Sequence, residues 1–319
     1  MPSLLALPAR LLALIGRYGT EGFLLSIFLG LALPQFAAAA RPFLAITIFV
    51  FVTLTFARAD LASVTAILRR PLKLILVLLW LVLAPVLIVF AMLHFAGRDA
   101  VDPGLLLGIA LLAAAPPIMS GPAVAMLLGL EPTLLLVATL ATTALAPLLS
   151  PLLAEFIAGA AVPIDRGVLM LRLLWLVGGA ILAAIALRLV FGEAKIRAAK
   201  REVDGIGVIM YFVFAVAAMD GVTGAFLTGP ARVLLFLAAA FTLTLQGFLL
   251  GAAVLRFVGP GERLVFGYGT GQRNMGLLIA ALGAGAPETT FLFFSLAQFP
   301  IYIMPQVMKW LGPRLLRDT

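Results

Sequence analysis

The chain has 319 residues, of which 64% are hydrophobic and 11% are charged, with a formal net charge of +8. Soluble domains average about 45–50% apolar and about 25% charged residues, so this composition excludes most soluble enzymes, nucleic-acid-binding proteins and disordered chains. With no cysteine and a single histidine, disulfides, thiol catalysis and histidine-rich metal sites are excluded too. We therefore expect an all-α membrane protein embedded in a lipid bilayer. We expect no enzymatic activity, no cofactor, no nucleic-acid partner and no obligate protein partner.

Apolar segments of the length that crosses a bilayer, roughly 20 residues, alternate with charged or Gly/Pro-containing stretches. In chain order the sequence predicts ten transmembrane spans, at residues 20–40, 42–58, 73–95, 104–129, 132–158, 167–190, 204–226, 230–255, 261–286 and 288–311. The first span has an alternative interpretation as a cleavable signal peptide, because Arg10 and Arg17 precede an apolar run that ends in four alanines.

The basic residues predict the orientation of these spans. With the N-terminus inside, sixteen of the 22 Lys and Arg residues fall on the cytoplasmic side, five fall outside, and Arg273 lies within a span. Cytoplasmic loops are enriched in Lys and Arg, so we place both termini in the cytoplasm of a bacterial-type inner membrane. The net charge is then mainly an orientation signal. The most polar segment, residues 193–204, is interpreted as a cytoplasmic loop, with a lipid headgroup patch as the alternative.

Spans four and nine each contain a sequence that interrupts a helix. Span four contains several prolines close together, and each proline removes a backbone donor and clashes with the preceding turn. In span nine, closely spaced glycines loosen the helix, with helix packing as the alternative interpretation. The residues expected to break the two helices are Pro116, Pro117, Gly121 and Pro122 in span four and Gly269 and Gly271 in span nine.

The second interruption is also unusually polar, since Gln272, Arg273 and Asn274 follow one another between apolar flanks. A central arginine in a membrane helix costs at least about 2.5–3.5 kcal/mol on insertion scales. Water, an acidic partner, backbone carbonyls or an anionic ligand must offset that cost.

The two interrupted spans occupy the fourth position of the first five and of the second five. Interrupted helices at matching positions in two halves indicate a secondary transporter with inverted repeats, whose substrate binds where the breaks cross. The sequence thus predicts one transporter domain, 1–319, made of a first inverted repeat, 1–160, and a second, 161–319.

Three segments resemble the bile acid:sodium symporter family. They are FVTLT at residues 51–55 followed by RRP at 69–71, the interrupted segment 115–122 followed by APLLSP at 146–151, and GTGQRNMGL at 269–277. The resemblance implies ten helices in two inverted five-helix repeats, with helices 4 and 9 discontinuous. It also implies a core domain of helices 3–5 and 8–10 that moves against a panel domain of helices 1, 2, 6 and 7.

The sodium ligands of that family are largely replaced. In this chain Gly269 stands at the position of the family's crossover glutamate, and Arg273 stands at that of the neighbouring glutamine. Trp80 stands at the position of a glutamine of helix three. The Ser-Asn pair of helix four reads Gly121-Pro122, while Asn274 and Thr139 keep the family's residue type. Our hypothesis is that the sodium sites are degenerate, with no metal bound, and that Arg273 supplies a fixed positive charge in place of sodium.

Residues near the two breaks are the candidate substrate contacts. Most are polar, although any single threonine in a membrane helix more often bonds its own helix. The candidates are Met119, Ser120, Thr139, Thr143, Gln272, Arg273, Asn274 and Gln298.

The function expected from these features is secondary active transport, or facilitated transport, of a small organic anion by alternating access, without the usual sodium coupling. Two alternatives stay open. One is a sodium-coupled symporter of the bile-acid type, and the other is a non-transporting receptor or a channel on the same fold.

Overall fold

The structure, a computed structural model, describes residues 11–12, 19–159, 165–255 and 259–317. Within these ranges the chain is built from helices, and seven of them are long and apolar enough to cross a membrane. They are Pro34–Ala57, Pro71–Ala96, Thr133–Ala158, Arg166–Ala198, Lys200–Thr228, Pro230–Val254 and Glu288–Leu311. The prediction of an all-α, multi-pass membrane protein is confirmed.

The chain divides into two compact units, each of which takes segments from both halves of the sequence. Unit 1 comprises residues 1–59 and 174–230, and unit 2 comprises residues 60–173 and 231–319. The helices of unit 1 are α1 Gly19–Ala32, α2 Pro34–Ala40, a 3-10 turn Arg41–Phe43, α3 Leu44–Ala57, and, later in the chain, a π-helical turn Leu174–Gly178, α10 Gly179–Ala198, α11 Lys200–Ala218 and α12 Val222–Thr228.

Unit 2 holds the remaining helices. Its first segment contains α4 Leu61–Leu68, α5 Pro71–Ala96, a 3-10 turn Arg98–Ala100, α6 Pro103–Ala114, α7 Gly121–Leu127, α8 Thr133–Ala158 and α9 Arg166–Leu173. Its second contains α13 Pro230–Val254, α14 Pro260–Gly271, α15 Met275–Leu282, a 3-10 turn Gly283–Gly285 and α16 Glu288–Arg317.

In unit 1, α11 packs against α1, α2 and α3, and α10 packs against α3. Ion pairs lie towards the ends of this bundle, between Arg41 and Asp220 at 3.0 Å and between Arg58 and Asp204 at 2.8 Å. Arg188 of α10 donates to the carbonyl oxygens of Ala57 and Ala59, at 3.0 and 2.7 Å, and so satisfies acceptors at the C-terminal end of α3.

In unit 2, the short helix α6 is the centre of the packing. All ten residues from Leu105 to Ala114 are buried, because α5, α8 and α16 pack around α6. A helix that is apolar on every side is expected in such a position. Its N-terminus is fixed by the Asp102 carboxylate, which accepts hydrogen bonds from the backbone N–H groups of Gly104 and Leu105, at 2.9 and 3.0 Å.

Some predicted boundaries differ from the structure. The first span was expected to run from 20 to 40, but α1 ends at Ala32 and a new helix begins at Pro34 and continues, through a 3-10 turn, to Ala57. Proline favours the first turn of a helix, so Pro34 starts a helix instead of continuing one. The polar segment 193–204, expected as a loop, is largely helical, and the bend lies at Gly192, whose φ is +76°.

Candidate functional site

The two interrupted spans meet within unit 2. Residues 115–120 separate α6 from α7, and residues 272–274 separate α14 from α15. Pro117 and Arg273 pair as an antiparallel bridge, in which the Ile118 N–H donates to the Gln272 carbonyl at 2.9 Å and the Asn274 N–H donates to the Pro116 carbonyl at 2.8 Å. Each break therefore supplies hydrogen-bond partners to the other, as non-helical backbone at membrane depth requires.

Arg273 is buried at this crossing, with 4% of its surface exposed. Its Nη2 donates to the carbonyl oxygen of Ala115, and its Nη1 lies 3.4 Å from the carbonyl oxygen of Gly269. Ala115 directly follows the end of α6, and Gly269 lies in the last turn of α14. The guanidinium thus lies at the C-terminal ends of two half-helices, where the helix dipoles are negative.

No carboxylate pairs with Arg273 among the residues that the structure describes. Backbone carbonyls therefore compensate the buried charge in this part of the chain.

The C-terminal end of α6 carries more carbonyls than its own backbone can satisfy. Pro116 and Pro117 have no N–H group, so they cannot bond the carbonyls of Leu112 and Ala113, four residues earlier. The next carbonyl, that of Ala114, accepts the Ser150 hydroxyl of α8 at 2.8 Å. Ser150 and Arg273 are thus complementary parts of one cap on α6.

The two other polar residues of the second break act mainly through the backbone. Gln272 is 1% exposed, and its Nε2 donates to the Pro300 carbonyl at 3.3 Å while its Oε1 has no partner among the described residues. Asn274 holds the bridge through its N–H, and its carbonyl accepts the Leu277 N–H at 3.1 Å.

The remaining candidates are distributed over three elements of unit 2. Thr139 and Thr143 of α8 are fully buried, and neither hydroxyl has a hydrogen-bond partner among the described residues. Gln298 of α16 is buried and donates to the Phe294 carbonyl of its own helix at 3.0 Å. Met119 and Ser120 lie in the linker before α7, partly exposed.

Four residues expected within the breaks lie in helices instead. Gly121 and Pro122 begin α7, because proline is compatible with a first helical turn. Gly269 and Gly271 belong to the last turn of α14. A Cβ on Gly269 would lie 2.8 Å from Leu135, and a Cβ on Gly271 would collide with the Thr244 carbonyl. These two glycines allow close packing, which was the alternative interpretation.

The same close packing extends along α13 and α14. A Cβ on Gly247 would lie 2.7 Å from the Cα of Gly271, and a Cβ on Gly251 would lie 2.8 Å from the Cα of Gly267. Both helices thus present glycines four residues apart to each other, the small-xxx-small pattern of membrane helix contacts. The contact fixes α14, the half-helix that carries Arg273 at its C-terminal end.

Trp80, which replaces a sodium ligand in the resemblance, has a different bonding role. Its indole Nε1 donates to the Thr270 hydroxyl at 3.0 Å, and that hydroxyl donates to the Phe266 carbonyl at 2.7 Å. At the other end of the same half-helix, Lys73 pairs with both carboxylate oxygens of Glu262 at 2.7 and 2.8 Å. The helix α14 is therefore held to α5 at both ends.

Two small cavities adjoin Arg273. The larger, about 20 Å³, is lined by residues of α5, α6, α13 and α14. The smaller, about 10 Å³, is lined by residues that include Thr142 and Ser150 of α8 and Pro116. Sequence reasoning assigned no role to Ser150, although a serine between Pro147 and Pro151 in an apolar span is a signal that could have suggested one.

No family model and no curated protein matches this sequence in comparisons with known proteins.

Proposed function

We propose that this protein is a secondary transporter, or a facilitator, of a small organic anion, that it works by alternating access, and that sodium does not drive it in the usual way. The observation that carries the proposal is the crossing of two interrupted helices around a buried arginine. Interrupted helices that cross inside a membrane protein are the usual sites for substrates and coupling ions in secondary transporters.

The spacing of the helices supports two inverted repeats. The bridge residues Pro117 and Arg273 lie 156 positions apart, and the exchange of hydrogen bonds around them is symmetric. The helices before the breaks begin at Pro103 and Pro260, and the long helices after them begin at Thr133 and Glu288, at nearly the same offset. An antiparallel bridge between equivalent residues is the relation that a two-fold axis in the membrane plane produces.

The division of the chain also supports the resemblance to the bile acid:sodium symporter family. Unit 1 contains the segments expected in the panel domain, and unit 2 contains those expected in the core domain. On this proposal α6 with α7, and α14 with α15, form two further discontinuous spans, which together with the helix ahead of Pro34 bring the total to ten. Both termini lie on the cytoplasmic side of a bacterial-type inner membrane.

The bonding of Arg273 supports independence from sodium. A guanidinium is effectively always protonated, and this one already occupies carbonyls at the ends of two half-helices. A sodium ion beside it would meet a like charge, without the carboxylate that sodium-coupled relatives supply. The same fixed charge favours an anionic substrate.

The test uses the purified protein in liposomes. A thermal-shift screen of mono- and dicarboxylates and a conjugated bile acid would identify the ligand, and uptake of that radiolabelled ligand would then be measured in sodium chloride and in choline chloride. We expect equal uptake in the two salts, within about two-fold. Sodium-stimulated uptake that survives Arg273→Ala would refute the sodium-independent mechanism. Ligand binding without any uptake would indicate a receptor, and conductance without saturation would indicate a channel.

A further inference from the structure

The larger cavity beside Arg273 is lined by residues whose hydrogen-bonding groups lack partners in the part of the chain that the structure describes. Its lining includes Leu112 and Ala113 of α6, Gly271 and Thr270 of α14, and Arg273. The Thr270 hydroxyl is already used, because it accepts from Trp80 and donates to its own helix.

Three of the lining residues carry further hydrogen-bonding groups, two acceptors and one donor. The carbonyls of Leu112 and Ala113 have no helical donor, because the residues four positions later are Pro116 and Pro117. The Nε of Arg273 is buried and has no acceptor among the described residues. Buried polar groups that stay unpaired cost about 1–3 kcal/mol each, so these three groups require a partner.

The size and the chemistry of the cavity select that partner. A water molecule needs roughly 10–15 Å³ and two to four polar partners, whereas an organic ligand needs roughly 300 Å³ or more. The cavity measures about 20 Å³. A cation would meet the guanidinium, and an anion would meet the two carbonyls. Water can satisfy both kinds of group, because it can accept a hydrogen bond from the guanidinium and donate one to each of the two carbonyls.

We propose that this cavity binds one structural water, which accepts a hydrogen bond from Arg273 Nε and donates to the carbonyls of Leu112 and Ala113. The water connects the buried cation to acceptors that its own side chain does not reach. It also explains how Pro116 and Pro117 can lie so close to the end of α6 without leaving two carbonyls unsatisfied. The guanidinium is then solvated by carbonyls on one side and by water on the other.

The first experiment asks whether filling the cavity stabilises or destabilises the protein. Val89 of α5 lines the cavity and is 2% exposed, whereas Val86, on the same helix and 5% exposed, does not line it. Val89→Ile adds one methyl group to the cavity, and Val86→Ile is the matched control. If water is displaced, we expect the melting temperature of Val89→Ile to fall about 2–4 °C below that of the control.

A melting temperature of Val89→Ile equal to or above that of Val86→Ile would overturn the proposal, because filling a dry apolar cavity is neutral or stabilising.

A second measurement keeps the test independent of folding. Hydroxyl-radical labelling of the wild-type protein in detergent reports side chains that contact bound water. We expect at least three-fold more labelling at Leu112 than at Leu107, which is 5% exposed in the same helix and does not line the cavity. Equal labelling of the two leucines would overturn the proposal.

Discussion

Replacing Arg273 with glutamine is expected to abolish transport while changing stability only slightly. Glutamine removes the positive charge and shortens the side chain, but it keeps a polar group at the crossing. The prediction rests on two opposing contributions to the folding free energy, which nearly cancel.

The first contribution is the bonding of the guanidinium. A hydrogen bond with a charged donor contributes about 1.5–3 kcal/mol, and Arg273 makes one such bond to the protein itself, to the Ala115 carbonyl. The contact with the Gly269 carbonyl, at 3.4 Å, is near the limit of a hydrogen bond and adds little. The second contribution is unfavourable, because an arginine at membrane depth costs at least about 2.5–3.5 kcal/mol. The net effect of Arg273→Gln on stability is therefore within about 2 kcal/mol of zero.

Arg172→Gln is the matched control. Arg172 also donates to carbonyls at a helix end in unit 2, those of Ala281 and Leu282, but it lies at the surface. Both variants would be compared by melting temperature and by uptake of the ligand found in the thermal-shift screen. We expect near-wild-type stability for both and loss of uptake only for Arg273→Gln. A loss of more than about 4 kcal/mol in Arg273→Gln would show that the arginine's contribution to the cap on α6 outweighs the cost of burying its charge, and normal uptake would show that its charge is not needed for transport.

Two further predictions concern the elements that hold the crossing. Ser150→Ala leaves the Ala114 carbonyl without its donor and should lower the free energy of unfolding by about 1–3 kcal/mol. The control Ser295→Ala removes only a bond to its own helix and should cost less. Thermal unfolding in detergent compares the two variants, and equal losses of stability would contradict the cap assigned to Ser150. Lys73→Met should destabilise the protein by no more than about 1 kcal/mol, because the ion pair with Glu262 is partly exposed, and this loss of stability should shrink in high salt. A loss that does not depend on salt would show that packing of the Lys73 side chain, and not its charge, holds α14 to α5 at this end.

The sequence predicted the presence of the two breaks but not their limits. Pro116 and Pro117 lack N–H groups wherever they lie, so an interruption of the helix near them follows from local chemistry. Whether a proline ends a helix or begins one depends on the backbone around it, and Gly121-Pro122 begins α7. The glycines of span nine were assigned to the break because glycine has a low helix propensity. Only the position of α13 and of Leu135 shows that Gly269 and Gly271 allow close packing.

Composition and local chemistry determined that this chain is an all-α membrane protein, because apolar content and span length depend on the residues alone. They also identified Arg273 as a charged residue whose burial in a membrane span costs free energy that other groups must offset. What offsets that cost was decided by the tertiary structure, because its partners, the carbonyls of Ala115 and Gly269, are backbone groups that every residue carries. The cap supplied by Ser150 to Ala114, 36 positions away, was hidden for the same reason. Residue type does not show which carbonyl will accept a side-chain donor from another helix, so these contacts are seen only once the helices are packed.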